Sequence, residues 1–389
     1  MKTGLLFISV LLSIIFVEGQ EILEVGIYRH INIRKALFSP QKHDYKIVVE
    51  DTIILQTLTE NQEVVISPTA EGKVRLEQEG KELGMFHKVR FVPLKPEAYF
   101  KVKTVIPSTK RRIYYGDLEI KKIEEIFTFI NHVPLEKYLI GVIESESGNY
   151  QSKEYYKVQA IISRTYALKN KEKFLHEGFM LTDLVNCQVY FGKFYQNPKM
   201  IKAVEETKGL VLVDDELQFI TAAFYSNSGG QTENSENVWN KKVSYLRSIK
   251  DPFSVGKNNY KWVKRMPKER WLNYLQSKYQ YPIEDSVALE KVLNFKQVNR
   301  KKYLAGWESH ILLTDVRRDL RLKSTFFSIE LEGNEVVFRG KGFGHGVGLS
   351  QEGAMNMVDL GYSYIDVLNF YYTNVNIIDL EKRNYYLLE

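Results

Sequence analysis

The sequence predicts an α+β protein, with a β-rich N-terminal domain followed by a mixed α/β region that carries a groove. Three observations predict it. Short runs that alternate apolar and polar residues fill positions 21–129, the period of half-buried strands. Helical periodicity begins at Pro134. A glycine-dense stretch, GKGFGHGVGLSQEGAMNM, runs from Gly340 to Met357 and marks a place where bare backbone is needed. With 389 residues, the chain is long enough for two or three domains and a sizeable core.

Lys2 precedes an apolar run of 13 residues, Leu5–Val17. A bilayer span needs about 20, so the run fits the core of a secretory signal peptide. Val17-Glu18-Gly19 offers a cleavage site, which makes 1–19 the signal peptide. An uncleaved anchor is the alternative, and both readings export the rest of the chain to the periplasm or cell exterior. Residues 20–129 form the β-rich domain, with runs such as YKIVVE, TIILQTL and YFKVKTV between turn signals. From 130 to 389 the pattern is mixed. PLEKYLIGVIESE reads as a helix entered through proline, and SKEYYKVQAIISRTYALKN as a second, capped by Ser152. CQVYFG, GLVLVD and FITAAFYS read as strands. A mixed, basic subregion at 241–334 holds a helix near Pro267–Gln280 and the strand FFSIEL. The glycines lead into a last helix from about Ser350 to Tyr372.

The formal net charge of +6, with no run of five basic residues, is too small to point to nucleic acid. The single cysteine, Cys187, excludes an internal disulfide and a cysteine-based zinc site. The seven histidines are scattered, so the expectation is no metal and no cofactor.

One acid stands out. On a helix, Leu135, Leu139, Val142 and Ile143 share a face, and Glu146 continues that stripe while Glu144 points elsewhere. A carboxylate facing a core is expensive to ionise, and the helix C-terminus disfavours negative charge. Both push its pKa up from about 4.3, toward a general acid's range. The competing reading is a frayed helix end in water. On the next helix Lys157 and Arg164 stand seven residues apart on one face. They suit either an anionic substrate or a solvated face. An acid, a basic face and an exported chain together point to polysaccharide chemistry outside the cell.

VPLEKYLIGVIESESG, followed by YYKVQAIISRTYALKN, resembles the stage II sporulation protein D family, whose relatives include the amidase enhancers. NCQVYFG, AAFYSNSGGQTENSENVW, YLRSIKDPFS, LRLKSTFFSIEL and FGHGVGLSQEGAMNM agree in order, so the resemblance covers roughly Asn131–Asn374. It implies a lytic transglycosylase acting on denuded peptidoglycan glycan strands, with the mixed region catalytic and an N-acetylmuramoyl-L-alanine amidase as a possible partner. It implies Glu146 as the catalytic acid, Lys157 and Arg164 as its basic companions, and Gln188 and Tyr190 as substrate-binding residues. The position two before the acid is usually small in the family and is Glu144 here; helix phase selects Glu146. Some relatives bind zinc near NCQVYFG, and with Cys187 alone that site is expected to be absent. Non-catalytic glycan binding and an envelope-scaffold role are the rival readings.

The glycine run fits neither the dinucleotide fingerprint nor a P-loop. It reads as an extended wall of the substrate groove, with His345 and Gln351 as hydrogen-bonding groups and Ser350 as a helix cap. Tight packing with His345 satisfied in the core is the alternative. In SNSGGQTENSENVW, Ser228 and Gln231 are candidates for sugar hydroxyl or acetamido groups, against an ordinary polar turn.

Overall fold

A computed structural model describes residues 21–192 and 197–382. The expected signal peptide lies outside the described residues. No helix among them is long and apolar enough to cross a membrane. Helices and strands mix as an α+β protein: the strands dominate to Pro134 and the helices follow.

The N-terminal strands form two sheets. One runs in the order Leu181–Thr182, Ile22–Ile27, Ile126–Pro134, Asp117–Ile123, Lys88–Pro93, Tyr45–Val49, Ile53–Leu58. The other runs Arg112–Tyr115, Tyr99–Ile106, Lys35–Lys42, Val64–Pro68, Val74–Gln78, Lys81–Phe86. The sheets face each other through aromatic rings. Phe38 of the second stacks on Phe91 of the first at 3.8 Å, with Phe100 of its own sheet 5.1 Å away. Alternation in Tyr45–Val49, buried at Tyr45, Ile47 and Val49, supplies the inner face.

Strand Ile126–Pro134 runs directly into α1 (Leu135–Ser147), which packs on α2 (Lys153–Asn170) and α3 (Pro198–Glu206). The expected boundary at 129/130 falls inside this strand, and the hydrophobic core is continuous across it from Leu23 to Tyr372. Ser152 caps α2 as anticipated, its side chain accepting from Tyr155 N–H. A short α4 (Ser235–Val238) follows. Then α5 (Lys268–Tyr279), α6 (Ser286–Leu293) and α7 (Leu313–Asp319) surround a three-stranded sheet, Lys261–Pro267, Glu335–Lys341 and Phe327–Glu332. This module has its own core around Trp271, Leu304 and Phe338. The chain closes with α8 (Gln351–Asp359) and α9 (Tyr364–Tyr371).

Three elements differ from expectation. CQVYFG forms no strand, because Val189 and Phe191 give their backbone N–H groups to the Glu146 and Ser145 side chains rather than to a neighbouring strand. FITAAFYS yields only the two-residue strand Phe224–Tyr225, paired in parallel with Leu349–Ser350. The last helix splits into α8 and α9, since Gly361 takes φ +95° and Ser363 starts a new helix through a capping box with Asp366.

The glycine run is a seam within the protein. A Cβ on Gly340 would stand 1.9 Å from the Trp262 ring, and one on Gly348 would stand 2.3 Å from the Ala223 carbonyl oxygen. At Gly342 the approaching chain is the protein's own polar loop, with Asn227 O 2.6 Å from a Cβ there, and mutual hydrogen bonds between Asn227 and Phe343 join the two. Gly348→Ala, at φ +78° against backbone, is expected to lower unfolding free energy by about 2–4 kcal/mol. Gly256→Ala has φ +77° but open space, and should cost only about 1–2 kcal/mol. Urea unfolding of the two variants measures the difference.

Candidate active site

The predicted apolar face of α1 is buried at Leu135, Leu139, Val142 and Ile143. The helix starts after Pro134 and stops at Gly148, whose N–H returns to the Glu144 carbonyl. Glu146 follows this stripe into the protein. Its Oε1 accepts from Val189 N–H at 2.8 Å. Burial raises its pKa, and the Val189 hydrogen bond opposes the rise without cancelling it. The Tyr138 and Tyr155 side chains lie within electrostatic reach of it. Glu144 instead faces Tyr115 and Tyr156. The two acids of α1 therefore sit in separate surroundings, and Glu146 is the one tied to the loop at 188–189.

Other elements converge there. Gln188 is buried, and its Oε1 accepts from the Tyr138 hydroxyl at 3.4 Å. Its Nε2 has no hydrogen-bond partner among the described residues. Gln351, the first residue of α8, lies by the Tyr155 hydroxyl, which also takes the Ser147 hydroxyl at 3.5 Å. Glu146, Gln188 and Gln351 thus share one neighbourhood, drawn together by three segments far apart in sequence. Tyr155 and the Val189 N–H are members the sequence reading missed. A backbone donor leaves no mark in composition, and tyrosine is too frequent here, at 25 residues, to single one out.

The remaining candidates are placed differently. Arg164 is 1% exposed and forms a two-pronged pair with Glu136, at 2.9 Å and 2.6 Å, while Nη1 donates to Leu210 O at 3.0 Å. It locks α1 to α2, with its guanidinium committed to Glu136 and Leu210 O. Lys157 pairs with Glu154 at 2.8 Å and Glu206 at 2.9 Å, and lies over the Tyr364 ring. Burial alone would lower its pKa, but the two carboxylates outweigh it and the shift is upward. Tyr190 is a packing residue. Its hydroxyl donates to Asn131 Oδ1 at 2.8 Å, and its ring fills the space that a Cβ on Gly141 would occupy.

The polar loop is an internal brace rather than a groove wall. Ser228 Oγ contacts Asp251 Oδ2 at 2.7 Å and Ser254 Oγ at 2.6 Å. Gln231 Nε2 donates to Ser248 Oγ at 2.9 Å. Arg300 ties the loop to the second module, donating to Gln231 O, Ser228 O and Thr325 Oγ1. His345 is satisfied by its own backbone surroundings: Nε2 donates to Phe224 O at 3.0 Å, and Nδ1 accepts from Val347 N–H at 3.1 Å. Burial holds its pKa down to about 4; the Phe224 bond opposes this, and Arg317 and Arg300 add to it. At neutral pH the ring is uncharged. Ser350 is a cap, as expected, accepting from Gly353 N–H. Tyr225, which the sequence reading passed over, stands 5.1 Å from His345 with its hydroxyl buried and unpartnered among the described residues. Among the described residues no cluster of three His, Cys, Asp or Glu side chains can hold a metal ion. Cys187 is buried and free.

Two outcomes follow from this geometry. Because the Glu146 carboxyl titrates higher in the folded chain than in the unfolded one, stability falls as pH rises from the unfolded pKa through the folded one. Glu146→Gln should therefore gain stability over wild type above that window, and the gain should vanish below about pH 4. Thermal unfolding across pH measures it. Second, Arg164→Ala should cost about 3–5 kcal/mol through the stranded Glu136 carboxylate. Arg164→Met with Glu136→Leu should recover most of the loss in urea unfolding.

A family model described as stage II sporulation protein matches residues 124–213, which include Glu146, Lys157, Arg164, Gln188 and Tyr190. The chain is 31% identical over 278 residues to stage II sporulation protein D of Bacillus amyloliquefaciens, covering 65% of this chain and 76% of the relative. It is 29% identical to the Bacillus subtilis (strain 168) protein of the same name, with the same coverage. An amidase enhancer of Bacillus subtilis (strain 168) is 28% identical, over 61% of this chain but 40% of that longer relative.

Proposed function

This chain belongs to the stage II sporulation protein D family, whose place is in cell-wall biology, and we propose that it is a peptidoglycan lytic transglycosylase working outside the cytoplasm. The substrate is a glycan strand stripped of its stem peptides. The observation that carries the reading is Glu146: one carboxyl, at the end of a buried stripe, with a raised pKa and a single backbone donor at 2.8 Å.

A lone acid suits this chemistry. Hydrolysis by water generally uses two carboxylates, whereas a transglycosylase takes its nucleophile from the substrate. Protonated Glu146 donates to the oxygen bridging N-acetylmuramic acid and N-acetylglucosamine. The bond from that oxygen to the muramic C1 breaks, leaving an oxocarbenium-like state. The muramic C6 hydroxyl closes on C1 and returns its proton to the Glu146 carboxylate. A 1,6-anhydro ring forms, no water is consumed, and the acid is reset. Val189 N–H holds the ionised form between the two proton transfers. In this reading Gln351 orients a sugar substituent, and Gln188, buried against the Tyr138 hydroxyl, supports the loop beside Glu146. Arg164 is a positioning residue that holds α1 through Glu136, while Lys157 ties α2 to the end of α3 through Glu206.

Similarity to the amidase enhancer supports a second reading, in which the protein grips denuded strands or an N-acetylmuramoyl-L-alanine amidase without cutting. Digestion of peptide-stripped strands separates the two. Wild type should release anhydro-muramic ends detectable by mass spectrometry, and Glu146→Gln should release none while still pulling down glycan. Anhydro ends from Glu146→Gln at the wild-type rate would remove the acid from this role.

A further inference from the structure

Two of the four tryptophans are buried and bonded, Trp262 Nε1 to Ser324 Oγ at 3.2 Å and Trp271 Nε1 to Val292 O at 3.1 Å. Trp239 differs. It is 42% exposed, and its indole N–H makes no hydrogen bond to the described residues. Yet it is held firmly. Its backbone N–H closes α4 on Ser235 O at 2.8 Å. Ser235 Oγ bridges Lys241 O and Val243 N–H, and Glu236 pairs with Arg247 at 2.6 Å. The indole stands 5.3 Å from the uncharged His345 ring, which is backed by Tyr225. A rigid, half-exposed aromatic face, tilted 50° against a neutral ring, is a platform for a flat, weakly polar surface.

A cation also approaches the His345 ring. Arg317 Nε donates to Lys323 O at 3.3 Å, the carbonyl that also accepts from Gly344 N–H at 2.9 Å. The guanidinium therefore lies against the backbone that presents His345. It is half-buried and forms no ion pair among the described residues. The acids of its own helix are engaged elsewhere, Asp315 by Arg318 at 2.8 Å and Asp319 by Lys278. Burial lowers its pKa, and the like charge of Arg300 lowers it further. A half-buried cation beside another cation favours an incoming anion. Lys157 and Arg164, the expected anion partners, already have carboxylates.

We propose that Trp239 and Arg317 form a subsite for a carboxylated sugar, taking the pyranose face on the indole and the carboxylate on the guanidinium. Arginine suits this role because its planar fork matches a carboxylate in two-pronged fashion. The subsite rests on the proposed substrate: in a peptide-stripped strand, each N-acetylmuramic acid bears a free lactyl carboxylate. It is wired to the acid through one ladder. Tyr225 pairs with Ser350, and the next residue, Gln351, reaches the Tyr155 hydroxyl near Glu146. Arg317 makes the site selective for denuded strands, since an amide-linked stem peptide removes the charge it reads.

The test uses the full chain carrying Glu146→Gln, so that strands stay intact. The probes are peptide-stripped glycan strands and the same strands with their lactyl carboxylates amidated. Adding Arg317→Gln should weaken binding of the native strands about tenfold and leave the amidated strands unaffected. Trp239→Ala should weaken both. Arg317→Lys should restore part of the preference, which a purely structural role would not do. Equal affinity of Arg317→Gln and its parent for native strands, or equal loss on both probes, overturns the subsite. If Arg317→Gln unfolds, Arg317→Lys decides by the same comparison. A wild type that prefers native over amidated strands but releases no anhydro ends would end the cutting reading and keep the subsite. One that cuts while Arg317→Gln binds both probes as before would end the subsite alone.

Discussion

The pair between Arg164 and Glu136 is the constraint on which the rest of the structure depends. Arg164 is almost wholly buried, so it cannot be left without its partner, and the two-pronged geometry allows little freedom. The pair joins the first turn of α1 to the middle of α2, and the third contact, to Leu210 O, adds the strand that follows α3. Fixing the start of α1 in this way fixes where its far end emerges. Glu146 lies ten residues beyond Glu136 on that helix, about 15 Å along the axis. The position of Glu146 is thus set by an ion pair at the opposite end of its helix.

From that point the local chemistry follows from desolvation. Glu146 is partly withdrawn from water with Val189 N–H donating to it, and its pKa rises. The same physics keeps His345 uncharged, with both ring nitrogens committed to backbone. The two groups respond in opposite directions to the same cause, because burial always favours the neutral form. Around the His345 and Tyr225 rings the ionisable groups are Arg300, Arg317, Glu233 and Asp251, and Arg300 is bound by loop carbonyls.

The seam between the two cores is built from the stretches richest in glycine and small polar residues. The run at 340–348 and the loop at 226–232 interlock backbone to backbone, with Arg300 reaching across from the second module. Glycine density here serves close approach between segments of one chain. Ser228, Gln231 and His345 are the hydrogen-bonding groups that close the seam, which is why their partners are internal. The seam nonetheless carries the Tyr225–Ser350 ladder on which Gln351 is mounted, so it supports the site without forming its wall.

Whatever short-range physics controls could be read from the residues alone. The alternating N-terminal strands, α1 with its proline start, α2 with its Ser152 cap, the Ser350 cap, and Glu146 as the acid continuing an apolar stripe were all readable, because period and capping act within a few residues. Whatever depends on partners distant in the chain was settled by packing. Arg164 and Lys157 looked free until Glu136 and Glu206 were brought to them. CQVYFG failed as a strand because side chains of α1 took its backbone donors. Trp239 and Arg317 became neighbours of His345 through a fold no local pattern records. A charged or aromatic side chain carries the same propensity whether it ends in an ion pair or an open subsite; which of these it meets is set by desolvation and long-range contact, and those exist only once the chain has packed.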